Sequence, residues 1–194
     1  RSSDLLVDAI AQNLDFLRAC HEPYVVITSG DCVYKMDYGK LLEYHIQKQA
    51  DITVVCKDMP ANTDTERFGT VRMNEESRIE EFEEKPVVSR SNTISCGIYV
   101  VRRRQLIELI EKADKEGRYD FVRDILVRYK DMKRIYGYKI KEYWNNIASV
   151  EDYFRTNMDF LKAEIRQYFF REYPGIYTKV VDLPPAKYNV GVNV

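Results

Sequence analysis

The sequence carries no CxxC pair, no Cys/His cluster of zinc-site spacing and no Gly-rich phosphate loop of the GxGxxG or GxxxxGK[ST] type. It also has no apolar run approaching the roughly 18 residues that a membrane span needs, and no signal-peptide core. Its only histidines, His21 and His45, are too few and too far apart to suggest a catalytic triad. Charge of either sign is not in excess: 30 Lys+Arg face 31 Asp+Glu, which argues against a nucleic-acid binder working through a bulk basic field. What is abundant is core-forming material. Fifteen Tyr, eight Phe and a 45% hydrophobic fraction exclude intrinsic disorder, and 194 residues suffice for one globular domain. The expected compartment is the cytoplasm. Cys20, Cys32, Cys56 and Cys96 are widely spaced, and the last two sit in apolar runs, where they read as small buried hydrophobes.

The hydrophobic pattern is that of an α/β protein. Leu5, Leu6, Ala9, Ile10, Leu14 and Leu17 recur at helical spacing behind Ser2 or Ser3 as a cap. Tyr24–Thr28 and Ile52–Cys56 are continuous apolar runs, which predict strands buried on both faces as in a parallel sheet. A helix over 37–48 separates them. Phe68–Met73 and Ile79–Glu83 predict a hairpin, and Ile94–Val101 a third buried strand. Helices are expected over 103–115 and 121–130, a strand over 135–140, and a helix over 150–170, in one or two pieces. Residues 173–194, with Pro184-Pro185, read as a linker after a domain spanning 1–172. The chain opens at Arg1 without Met and closes on an extended stretch, so it reads as an internal fragment. A first strand missing upstream would leave the sheet an open edge.

Several residues are placed for chemistry. Asp31 follows the first strand directly and sits next to Gly30, a position suited to holding Mg²⁺ against phosphate charge. A loop aspartate capping the next turn would look the same. Lys85, in Glu84-Lys85-Pro86, can serve as a point charge for a phosphate, or can belong to a solvated charged edge strand. Ser95 and Gly97 flank Cys96 on a central strand, where glycine permits close approach of a ligand. Arg102-Arg103-Arg104 is either an anion site or a solvated helix face.

Together these segments resemble the bacterial ADP-glucose pyrophosphorylase (glucose-1-phosphate adenylyltransferase) family. Ser29-Gly30-Asp31-Cys32-Val33-Tyr34-Lys35-Met36-Asp37-Tyr38 is similar to the family's SGDHIYKMDY block. Phe82-Glu83-Glu84-Lys85-Pro86 is similar to FxEKP, and Ser95-Cys96-Gly97-Ile98-Tyr99-Val100 to SMGIYVF. Tyr119-Asp120-Phe121 echoes HDF, and Tyr143-Trp144-Asn145-Asn146-Ile147-Ala148-Ser149 echoes YWRDVGT.

The resemblance implies a nucleotidyltransferase-type α/β domain, Rossmann-like, with a mixed, mainly parallel sheet flanked by helices and followed by a left-handed β-helix. It implies a reaction in which ATP and glucose 1-phosphate give ADP-glucose and pyrophosphate. Mg²⁺ would be held by two aspartates, of which Asp31 is one. Lys85 would bind the sugar phosphate, and Glu84 and Ser95 the glucose. At the second metal position, however, the family's Asp is Asn146. Asn145 replaces Arg, Ala148 replaces Gly and Cys32 replaces His. The segment Leu5-Leu6-Val7 lacks the family's Gly and Thr, and Val122 stands for the Gly of HDFG. This pattern is most similar to the non-catalytic, regulatory GlgD-type subunit, which pairs with a catalytic homologue in a hetero-oligomer. Two other readings stay open: an active sugar-1-phosphate nucleotidyltransferase with Asp31 and Asp120 holding the metal, and a non-enzymatic α/β interaction module.

Overall fold

A computed structural model describes residues 6–60, 63, 65, 67–86 and 91–177. The Ser2 or Ser3 cap and the Pro184-Pro185 segment lie outside the described residues. In chain order the elements are α1 (Leu6–Ala11), α2 (Leu14–Ala19), β1 (Tyr24–Thr28), β2 (Cys32–Tyr34), α3 (Tyr38–Gln47) and β3 (Ile52–Asp58). There follow β4 (Gly69–Met73), β5 (Ile79–Glu84), β6 (Thr93–Arg102), α4 (Arg103–Lys115) and a π-helical segment (Val122–Val127). The last are β7 (Ile135–Ile140), β8 (Trp144–Asn146), α5 (Val150–Asp159) and α6 (Ala163–Arg171).

Local chemistry explains the boundaries. Asp37 accepts from the amides of Gly39 and Lys40 and so starts α3. Ser149 starts α5 by accepting from Asp152 N. The expected first helix is divided because Asn13 turns its amide back onto Ala9 O (2.8 Å), which ends α1 before α2 begins. Arg103 is spent structurally: Nε donates to Glu22 O (2.8 Å) and Nη1 to Leu17 O (3.0 Å), tying α4 to the end of α2.

The main sheet has the order β5-β4-β6-β3-β7, with β1 also paired to β6. It is mixed as expected, but it is not mainly parallel. Among the described residues only β3 and β7 run parallel; β1, β3 and β4 are all antiparallel to β6, and β4 to β5. The apolar runs misled because burial on both faces comes from layering, whatever the strand direction. Along β6, Ile94, Cys96, Ile98 and Val100 enter one core cluster while Tyr99 and Val101 enter the other, so the strand is covered on both sides. β1 departs from expectation in burial as well: Ile27 is buried, but Val26 is 39% exposed. Cys56 and Cys96 are buried and all four cysteines are free thiols. At the far side of the sheet the tip of the β4–β5 hairpin folds over β7, where Gly137 N donates to Ser77 O (2.8 Å) and Arg78 bridges Tyr136. Among the described residues no helix is long and apolar enough to cross a membrane.

β6 is longer than its partners, and this creates the site. Its C-terminal half pairs with β1 through Ile98–Arg102, while near its start Ile94 faces Thr70 of β4. β1 and β4 therefore lie on the same side of β6 and part around Ser95–Gly97. The loop leaving β1 and the chain entering β4 meet over that gap. A second, two-stranded sheet pairs β2 with β8, with Cys32 opposite Asn146.

One buried histidine makes stability depend on pH. His45, on α3, is 1% exposed, with Nδ1 and Thr53 Oγ1 2.7 Å apart and its ring edge-on to Tyr24. Burial, with the charge of Arg102 in support and that of Asp51 opposing, pushes its pKa down to about 4. The unfolded chain binds this proton near pH 6.5 and the folded chain does not, so the neutral form stabilises the fold above pH 6.5. That contribution falls as pH drops toward 4, by about 3 kcal/mol in all. His45→Gln is expected to lose that part of the pH slope, read as the difference between urea midpoints at pH 7 and 4.5. An unchanged slope would refute the assignment.

Candidate functional site

All six residues singled out from the sequence (Asp31, Glu84, Lys85, Ser95, Gly97 and Asn146) line one cavity of about 140 Å³ at the gap beside β6. A larger neighbouring space of about 690 Å³ shares Glu84 and Lys85 as its wall.

Two glycines make the cavity possible. Gly97 has φ +69°, a left-handed conformation, and a Cβ there would lie 3.2 Å from Ser29 Cβ. Its carbonyl accepts from Ser29 N (3.1 Å), which fixes where the chain leaves β1. Gly69 faces Glu84 across the hairpin, and a Cβ there would sit 2.8 Å from the Phe82 ring and 3.0 Å from Glu84 Oε2. Lys85 follows with φ +46°, a strained value for a side-chain-bearing residue, and its Nζ is 3.6 Å from Glu84 Oε1. Ser95 is buried; its Oγ accepts from Gly97 N (3.4 Å) and lies 3.5 Å from the Tyr99 hydroxyl.

Asp31 is held from several sides. Its Oδ1 accepts from Ser29 Oγ, and Cys32 Sγ lies 3.6 Å away. Burial pushes this carboxyl upward, but hydrogen bonding by Ser29, Asn146, its own amide and Cys32 outweighs it, so the group stays below the ordinary aspartate range. Burial also pushes the Cys32 thiol up to about 11, so it is neutral. Asn146 is used entirely as a bridge. Nδ2 donates to the Asp31 carbonyl (3.1 Å) and lies 3.7 Å from Cys32 Sγ, while Oδ1 accepts from Ala148 N (3.2 Å). Ile147 N adds a bond to the same Asp31 carbonyl (2.8 Å).

This donor set does not fit a magnesium ion held by two aspartates. Such an ion takes several oxygen ligands, with carboxylates supplying charge. Beside Asp31 stands a neutral amide whose NH₂ end faces a carbonyl and whose oxygen is already occupied. Among the described residues no group of three His, Cys, Asp or Glu could hold a metal. Asp120 does not supply the missing charge: it lines the neighbouring space, and its Oδ1 accepts from the amides of Val122 and Arg123 (2.9 Å each), starting the π-helical segment. Asn145 alternates to the other face of β8, where it bonds the Tyr143 hydroxyl (2.7 Å) and Asp159 (3.3 Å).

Sequence reasoning missed Arg67, Phe68 and Trp144 as walls of this cavity. Phe68 and Trp144 meet edge-on at a centroid distance of 5.7 Å in its wall. Trp144 stood only within a recognised motif, and a lone arginine before Phe-Gly gives no local signal.

A mixed sheet flanked by helices, with a polar cavity where two strands part at the end of β1, defines a nucleotidyltransferase-type α/β domain. The sequence pattern of the Nucleotidyl transferase family matches residues 1–163, and the chain belongs to that family. Among curated relatives, the glucose-1-phosphate adenylyltransferase of Bacillus thuringiensis (strain Al Hakam) is 41% identical over 159 residues, covering 80% of this chain and 42% of that protein. Its counterpart in Bacillus cytotoxicus is 40% identical over the same length. The chain thus spans about 42% of the length of these relatives. Among solved structures, a Bacillus anthracis protein named as a glucose-1-phosphate thymidylyltransferase, crystallised with sucrose, superposes with a TM-score of 0.67 at 21% identity. That match covers 79% of this chain and 59% of the other, and it is a likeness of fold.

Proposed function

We propose that the chain belongs to a regulatory, catalytically degenerate subunit of a glucose-1-phosphate adenylyltransferase, acting in ADP-glucose synthesis for glycogen. In this reading residues 1–172 form part of its nucleotidyltransferase domain and 173–194 lead toward a C-terminal β-helix. The cavity keeps a sugar-phosphate character, with Lys85 facing phosphate and Glu84, Ser95 and Gly97 facing the sugar. Its cytoplasmic partner is a catalytic homologue in a hetero-oligomer, and ATP, glucose 1-phosphate and ADP-glucose are the ligands to try.

The observation that carries the reading is the employment of Asn146. A residue that would have to supply charge to Mg²⁺ instead spends both amide ends on the protein's own backbone, Nδ2 donating to the Asp31 carbonyl and Oδ1 accepting from Ala148 N. Loss of one metal carboxylate is worth several kcal/mol of transition-state stabilisation, hence about 10²-fold or more in rate.

The test is ADP-glucose formation in Mg²⁺ by the subunit at its natural length, alone and mixed with its catalytic homologue. The expected result is negligible turnover alone and a changed rate or substrate affinity in the mixture. Turnover alone at ordinary enzyme rates would refute the regulatory reading in favour of an active transferase. A melting temperature unmoved by all three ligands would instead favour an interaction module.

A further inference from the structure

One wall of the Asp31 cavity has no part in the reading above. Arg67, just ahead of β4, reaches across to Asp152 in the first turn of α5, with Nη1 2.7 Å from Oδ2 and Nη2 3.1 Å from Oδ1. This two-point fork lies alongside the Phe68–Trp144 edge contact. Together they draw the entry of β4 against the corner between β8 and α5. What remains between the walls is about 140 Å³, whereas small-molecule pockets run from about 300 to 1,000 Å³. The cavity is narrowed by its own side chains.

Each partner in the fork is supported without the other. Asp152 Oδ2 also accepts from Ser149 Oγ (2.7 Å), and the carboxylate sits at a helix N-terminus, where negative charge is favoured. The Arg67 guanidinium lies 5.0 Å from the centroid of the Phe68 ring, a cation–π platform, and the side chain is 45% exposed against 8% for Asp152. A partner carrying more charge than a carboxylate can therefore take the guanidinium without stranding Asp152.

We propose that Arg67 is a phosphate-binding residue of this cavity, held in reserve by Asp152: the phosphate of a sugar-sized ligand takes over the guanidinium, and the wall parts as it does. This rests on the reading of the cavity as a sugar-phosphate site. Planar two-point recognition suits a phosphate as well as a carboxylate, so the exchange preserves the geometry of the fork.

The test is isothermal titration of glucose 1-phosphate, with glucose as the uncharged control, into the subunit at its natural length without Mg²⁺. Asp152→Asn is expected to tighten glucose 1-phosphate about tenfold and leave glucose unchanged, with Asp152→Ser as the second variant if the first folds poorly. Arg67→Gln is expected to weaken it about tenfold and to abolish the gain when combined with Asp152→Asn. Arg67→Lys keeps the charge without the fork and is expected to recover part of the loss. The proposal is overturned by unchanged or weaker binding in both Asp152 variants, by a gain that persists with Arg67→Gln, or by no glucose 1-phosphate binding in any of these proteins. Turnover by the subunit alone tests the regulatory reading and is independent of this titration, so the two fail separately.

Discussion

Asn146→Asp is expected to melt several degrees below the parent protein at pH 7 in EDTA, and to regain stability when Mg²⁺ is added. The substitution replaces the donor at Nδ2 by an oxygen that faces the Asp31 carbonyl across 3.1 Å, so an attraction becomes a repulsion. Ile147 N still donates to that carbonyl, but losing this part-buried bond and setting two oxygens against each other costs about 1–3 kcal/mol. The new carboxylate also stands beside Asp31, whose own carboxyl is held low by hydrogen bonds that include Asn146. Two like charges there raise the pKa of the pair, so the penalty is largest at neutral pH and fades as acid protonates one of them. Mg²⁺ would relieve the same repulsion by binding both. The checks are calorimetric melting at pH 7 and 4.5, with EDTA and with Mg²⁺, and ADP-glucose formation by the variant. A variant as stable as the parent in EDTA at pH 7 would contradict the bridging role. If catalysis has been lost at this position, the rate should rise by an order of magnitude or more.

Phe121→Ala is expected to produce the largest loss of stability among single changes near the cavity, about 3–5 kcal/mol. Phe121 is 1% exposed and its ring packs on Tyr99 at a centroid distance of 5.0 Å. Tyr99 belongs to the long strand β6 and also lines the cavity, so the aromatic pair joins the π-helical segment to the site. Removing the ring leaves a void between layers that have little freedom to collapse, because Tyr99 is held by strand pairing on both sides. For a domain of this size the loss corresponds to a melting temperature lower by roughly 10 °C. Phe121→Leu, which fills most of the volume, should recover more than half of it. A shift under about 2 °C for the alanine variant would show that the ring contributes little.

Much of the fold could be read from the chain because its strongest signals are local. The helix expected over 103–115 matches α4 as formed, and Asp37 announces α3 by its capping chemistry. Elements defined by distant partners could not be read. β2 and β8 are three residues each and exist only because Cys32 meets Asn146 over a hundred positions later. Strand direction was hidden for a related reason: β3 and β6 are buried over most of their length because both faces are covered, and that pattern carries no sign of parallel or antiparallel pairing. The six candidate residues could be singled out because short motifs carry them, and the fold gathers them around one cavity. The part played by Asn146 was legible as a missing charge but not as a bridge, since the carbonyl it holds belongs to residue 31. Arg67 was invisible, because its meaning depends on Asp152, 85 positions away.

β7 ends the sheet, yet it does not present a bare row of amides and carbonyls to its surroundings. Gly137 gives its N–H to Ser77 at the hairpin tip, and its carbonyl accepts from the Tyr44 hydroxyl (2.8 Å). A second molecule seeking to extend the sheet there would first have to peel the hairpin away. The hairpin that opens the cavity at one end of β4 thus guards against self-association at the other, and the two tasks constrain its length together.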